Sequence, residues 1–151
     1  MKKEKICLDT SVPSAYYDSR VKERQRETEK FWREIIPAYQ VRVSAVTVEE
    51  LANTRESSLR RKLQALIEPF QVLRVNARSE ALARAYLEAG TIPERYMADA
   101  LQIAIATDHQ ISYLVSWNFE HMVKVKTRRE VNSINVLHGY TAIEIVAPSE
   151  L

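Results

Sequence analysis

The chain alternates between short apolar runs and longer segments in which apolar positions recur at helical spacing. Strands are predicted at 5–9 (KICLD), 41–45 (VRVSA), 70–75 (FQVLRV), 113–116 (YLVS) and 143–146 (IEIV), each short and mostly rich in β-branched or aromatic residues. Helices fill the intervals. A charged amphipathic segment runs from 21 to 36 and stops at Pro37, 48–53 and 56–67 read as a helix pair, and 77–89 ends at Gly90. Further on, 92–109 is apolar on several faces and therefore buried, and 128–138 ends at Gly139. Strands alternating with helices predict an α/β fold: a mostly parallel central sheet of about five strands with helices on both faces. No repeat or linker interrupts the pattern, so residues 1–151 read as a single domain.

In such a sheet the C-terminal strand ends line one edge, and the crevice there is the usual place for a ligand. Asp9 falls at the end of the first strand, where a carboxylate can face the crevice while the strand behind it stays dry. After the second strand comes SAVTVEEL, in which Thr47 and Glu50 have capping-box spacing. Glu50 therefore has a structural role available, and a first-turn glutamate leaving the strand edge also faces the crevice. Thr91 and Glu94 repeat the start signal, with Pro93 between them. Eight residues after Thr91, Asp99 sits among Ala98, Ala100 and Leu101. A charge in that setting needs a partner. Arg95, one turn earlier, is one, and a cation shared with Asp9 and Glu50 is the other. Asn118, just past the fourth strand, reads as the cap of the short turn that follows.

Composition narrows the chemistry. Only Gly90 and Gly139 are glycines, so neither a P-loop nor a dinucleotide fingerprint can be written. His121 has no second histidine or cysteine at zinc spacing, and oxygen-only ligands suit Mg²⁺ or Mn²⁺. The one cysteine, Cys7, lies between Ile6 and Leu8 and reads as core packing. Net charge is only +2, but TRESSLRRK (54–62) and KVKTRRE (124–130) each carry four basic residues against one acid. Either run is a solvated face or a contact for a phosphate backbone. Trp117 and Phe119, like Tyr16 and Tyr17, are candidates for core packing or base stacking. No apolar stretch is long enough to span a membrane or serve as a signal peptide, and a cytoplasmic location is expected.

Taken in order, LDTS, TVEEL, ADALQIAIA and LVSWNF resemble the PIN domain, the fold of VapC-type toxin ribonucleases, over nearly the whole chain. The resemblance implies a three-layer α/β/α fold and a divalent-metal-dependent ribonuclease that hydrolyses phosphodiester bonds with Mg²⁺ or Mn²⁺. Carried over residue by residue, Asp9, Glu50 and Asp99 match the metal-binding acids. Asn118 stands at the fourth acidic position as an uncharged member of the catalytic set, and Thr10 or Ser11 matches a hydroxyl beside the metal. It further implies an RNA substrate, a cognate antitoxin, and a homodimer. Two other readings compete: a PIN-like module that holds RNA or protein without turnover, and a receiver-like signalling domain. The second is weak, because CLDTS has one acid and IEIVAPSEL has no lysine.

Overall fold

The computed structural model describes residues 2–151. Strands β1 (Lys5–Leu8), β2 (Gln40–Ser44), β3 (Gln71–Leu73), β4 (Tyr113–Val115) and β5 (Glu144–Val146) form one sheet in the order β3-β2-β1-β4-β5. Every neighbouring pair is parallel. Parallel strands covered on both faces read as near-continuous apolar runs rather than as alternation, which is how these strands look in the sequence. Seven α-helices accompany them among the described residues: α1 (Ser11–Tyr16), α2 (Lys22–Lys30), α3 (Ala45–Ala52), α4 (Ser57–Ile67), α5 (Ala77–Glu88), α6 (Met97–Asp108) and α7 (Val125–Leu137).

The sheet separates two apolar layers. Ile6, Leu8, Val41, Val43, Val115 and Val146 pack with Val12 of α1, Phe31 just after α2, and Leu63 and Ile67 of α4. Cys7, Leu73, Leu114 and Ile145 point the other way, onto Leu82 and Tyr86 of α5, Ile103 of α6 and Val131 of α7. This is the expected α/β/α arrangement. Ile6, Cys7 and Leu8 are wholly buried, so the middle strand is anchored from both sides, at about 1.5–3 kcal/mol for each large apolar side chain. Gly90 and Gly139 have φ of +75° and +83° just past α5 and α7, the left-handed helix-ending role expected of them.

Several element bounds differ from the predicted ones, and two of the differences move site residues. α3 starts at Ala45, and Ser44 caps it by accepting the Thr47 N–H at 3.3 Å. The chain is still extended at Ser44, so the helix turns there rather than at Thr47. The Thr47–Glu50 capping box is not made, and Glu50 lies in the second turn. Likewise Pro93 leads into a 3₁₀ turn, Glu94–Tyr96, and α6 begins only at Met97, without the Thr91–Glu94 box. Asp99 consequently stands in the first turn of α6, where unpaired helix N–H groups favour a negative charge.

The predicted helix over 21–36 is α-helical only to Lys30. A π turn, Phe31–Ile35, and a 3₁₀ turn, Ile36–Ala38, complete it. α7 begins at Val125, three residues before its predicted start. α1 has no signature in the sequence pattern: SVPSAY follows β1 directly and is too short to show helical periodicity.

Candidate active site

Leu8 is level with Val43 on one side and Val115 on the other, and the Asp9 N–H extends the ladder to the Val115 carbonyl at 2.9 Å. The end of β1 thus lies beside Ser44 at the end of β2 and Ser116 just past β4. From β1 the sheet grows one way through β2 and β3 and the other way through β4 and β5, which makes this crevice the topological switch point.

Asp9 is 5% exposed. Its Oδ2 accepts from Ser11 Oγ at 2.6 Å, Ser116 Oγ at 2.9 Å and the Ser11 N–H at 3.3 Å. Burial pushes its carboxyl above the ordinary range, and the Ser11 and Ser116 hydrogen bonds pull the other way. The same hydroxyls tie the loops together. Ser11 Oγ accepts the Trp117 N–H and Ser116 Oγ the Asn118 N–H, each at 2.9 Å. The three bonds to Asp9 all fall on Oδ2.

Asp99 is half-buried, and its carboxyl is pushed up to about 6. Burial is the largest cause, followed by the charge of Asp9; the His121 imidazole lowers it, Glu50 raises it, and a hydrogen bond from Asn118 lowers it. The three predicted acids therefore share one electrostatic field. Asn118 Nδ2 donates to Asp99 Oδ2 at 3.3 Å, while Asn118 Oδ1 accepts the His121 N–H at 3.0 Å and caps the turn as expected. Arg95 is not the partner of Asp99. Its guanidinium lies over the Tyr96 ring, 5.0 Å from the centroid, and the salt bridges among the described residues leave Asp9, Glu50 and Asp99 out.

Glu50 is exposed, and its Oε1 accepts from Thr10 Oγ1 at 2.6 Å. Among the described residues no three His, Cys, Asp or Glu side chains are gathered tightly enough to hold a metal as they stand. The donor chemistry nonetheless fits one. Asp9 and Asp99 are carboxyls raised by burial with no salt-bridge partner among the described residues, and a hard divalent cation on oxygen donors relieves that state.

Four polar residues of the site lack a sequence motif: Ser44, Thr47 as a hydroxyl rather than a cap, Gln102 and Ser116. Gln102 carries a usable signal, since it is polar in the apolar run DALQIAIA and lies three residues after Asp99, on the same helix face. The remaining candidates divide. Cys7 is wholly buried, and burial pushes its thiol up to about 12, in keeping with a packing role. Trp117 packs between the two apolar layers and donates its indole N–H to Thr28 Oγ1 at 3.0 Å, whereas Phe119 is half exposed. Tyr16 and Tyr17 pack edge-on against each other, and Tyr16 against Trp32. Arg55, Arg61 and Lys62 are exposed around the start of α4, and Lys124, Lys126 and Arg129 around the start of α7.

Comparison with known proteins agrees with this architecture. The crystal structure of FitAcB from Neisseria gonorrhoeae superposes with a TM-score of 0.63 at 19% identity, covering 97% of this chain and 99% of that one. Mycobacterium tuberculosis VapC20, described as a Sarcin-Ricin loop cleaving toxin, gives 0.62 at 17% identity over 92% of this chain and 98% of its own. A toxin-antitoxin complex from Klebsiella pneumoniae gives 0.60 at 14% identity over 81% and 93%. No curated protein matches by sequence. The PIN domain family model matches residues 6–125, from β1 through the start of α7, and the chain belongs to the PIN domain family.

Proposed function

We propose that this chain is a divalent-metal-dependent endoribonuclease acting as one cytoplasmic domain, the toxin of a toxin-antitoxin pair. The observation that carries the reading is the shared field of Asp9, Glu50 and Asp99 at the switch point, with two raised carboxyls and, among the described residues, no salt-bridge partner for any of the three. Asp9 and Asp99 would hold Mg²⁺ or Mn²⁺, with Glu50 as the third ligand. When bound, such an ion supplies Lewis-acid stabilisation of charge developing on a phosphodiester.

The work of the chain's own residues is positioning. Ser11 and Ser116 fix Asp9 through Oδ2. Asn118 steadies the Asp99 carboxylate with its amide nitrogen, and would orient water or substrate there. The exposed cations around the starts of α4 and α7 follow the RNA backbone.

The test is cleavage of a labelled single-stranded RNA with Mn²⁺, Mg²⁺ or EDTA, beside Asp9→Asn and Asp99→Asn. Metal-dependent cleavage that disappears in both variants supports the reading; equal background in all three proteins removes it. Asn118 favours a second reading, an RNA- or protein-binding module without turnover, and RNA retention without cleavage would select that one. The antitoxin partner is inferred from relatives solved as toxin-antitoxin complexes, and co-purification from the native host tests it. Homodimer formation is tested by sedimentation.

A further inference from the structure

Gln102 is 1% exposed and joins three segments of the chain. Its Oε1 accepts from Ser44 Oγ at 2.6 Å, and its Nε2 donates to Thr47 Oγ1 at 2.7 Å and to Thr10 Oγ1 at 3.1 Å. Thr10 Oγ1 and Thr47 Oγ1 are 2.9 Å apart, and Thr10 donates to Glu50 Oε1 at 2.6 Å. A hydroxyl has one proton and two lone pairs. An amide nitrogen only donates, so Gln102 occupies a lone pair on each threonine with its two hydrogens. Thr10 has committed its proton to the Glu50 carboxylate, so the proton between the threonines belongs to Thr47. The second lone pair of Thr10 is then filled as well. Every hydrogen and acceptor site on Thr10 Oγ1 is accounted for, and the order of donation runs one way, from Gln102 through the threonines to Glu50.

We propose that Gln102 is a positioning residue that sets the orientation of Glu50 through this one-way relay, and thereby the affinity of the acidic cluster for a divalent cation. The inference rests on the metal-binding reading of Asp9, Glu50 and Asp99, and adds to it a residue that touches neither metal nor substrate. Glu50 is exposed, and in water a glutamate samples many rotamers, so ligation from such a side chain loses affinity to ordering entropy. A fixed proton donor on Oε1 lowers that loss and leaves Oε2 as the free oxygen. Removing an outer partner of a metal ligand commonly weakens binding by about 10–100-fold.

The experiment is a double-mutant cycle read by Mn²⁺ titration calorimetry on wild type, Gln102→Met, Glu50→Ala and the double variant, with Tm followed in parallel. Gln102→Met keeps the side-chain volume and removes the relay. Expected are weaker Mn²⁺ binding by about 10-fold in Gln102→Met, and little further weakening in the double variant beyond Glu50→Ala. A purely structural Gln102 lowers Tm in both backgrounds and changes Mn²⁺ affinity by the same factor with or without Glu50, and that result overturns the proposal. Thr47→Val, an isosteric break in one arm of the relay, gives a smaller effect with the same dependence on Glu50 and serves where Gln102→Met does not fold. Wild type that binds no Mn²⁺ refutes the metal site and the relay together, whereas wild-type binding with Gln102→Met unchanged refutes the relay alone.

Discussion

Asn118 and Asp99 meet across the crevice: the amide nitrogen of one donates to the carboxylate of the other at 3.3 Å. The one uncharged member of the predicted set thus hydrogen-bonds the acid that burial and its neighbours hold at about 6. A carboxylate at 118 would accept where the amide donates, and would add a charge to a field that already contains three.

Asn118→Asp is expected to destabilise the metal-free protein at neutral pH by on the order of 1 kcal/mol, through like-charge repulsion with Asp99. Saturating Mn²⁺ is expected to restore the stability. Thermal denaturation with EDTA and then with Mn²⁺ measures both, and a variant equally destabilised in both conditions would place Asn118 outside the cation's reach.

The pH dependence of stability follows from the sign of the Asp99 shift. A carboxyl raised to about 6 in the fold, against 3.8 as the ordinary value, disfavours the native state once it is ionised. In the metal-free protein that cost is absent below about pH 4, grows as pH rises through 4–6 and is complete above it. Asp99→Asn should therefore raise Tm by a few degrees at pH 7.5 and leave it unchanged at pH 4, with solvent at this half-exposed group moderating the gain. A stabilisation that is equal at both pH values would refute the electrostatic cause.

Ser116→Ala removes one hydrogen bond to the buried Asp9 carboxylate and the acceptor of the Asn118 N–H. The expected cost is about 1–3 kcal/mol, since a buried charge is deprived of a donor. Urea denaturation reads it directly. Ser116→Cys, which keeps a weak donor, is expected to be less destabilised than Ser116→Ala.

What the sequence shows and what it hides differ by the range of the interactions. Strands and helix ends are local, so the runs around Ile6, Val43 and Leu114 and the glycines at 90 and 139 place the sheet and the ends of two helices. The acids Asp9, Glu50 and Asp99 are visible because charges at strand ends and in apolar helices are conspicuous. Helix starts mislead, because the spacing at Thr47 and Thr91 satisfies a capping rule that Ser44 and the turn after Pro93 override. Gln102 shows in the sequence only as a polar residue in an apolar run; its role stays hidden because its partners lie 58, 55 and 92 residues away, and no spacing along a chain encodes such pairings.

Under the proposed function, the two basic runs are expected to make separable contributions to RNA binding. Arg60 and Arg128 already donate to the carbonyls of Thr54 and Ile145, leaving Arg55, Arg61 and Lys62 in one run and Lys124, Lys126 and Arg129 in the other as the exposed cations. Replacing either exposed set with glutamine should weaken binding to single-stranded RNA in EDTA more at low salt than at high. The salt slope should flatten by about 0.7 for each phosphate no longer neutralised. An unchanged slope would remove that run from the interface.

The buried thiol at the middle of the sheet gives the fold a built-in clock. Cys7 is the only sulfhydryl in the chain, is sealed between two layers, and has its ionisation pushed up to about 12. A disulfide reagent added to the native protein has no other target and no thiolate to attack until β1 is uncovered. The rate of its colour change thus measures how often the central strand, which carries Asp9 at its end, is released, and a bound cation or partner that holds the crevice closed would register as a slower reaction.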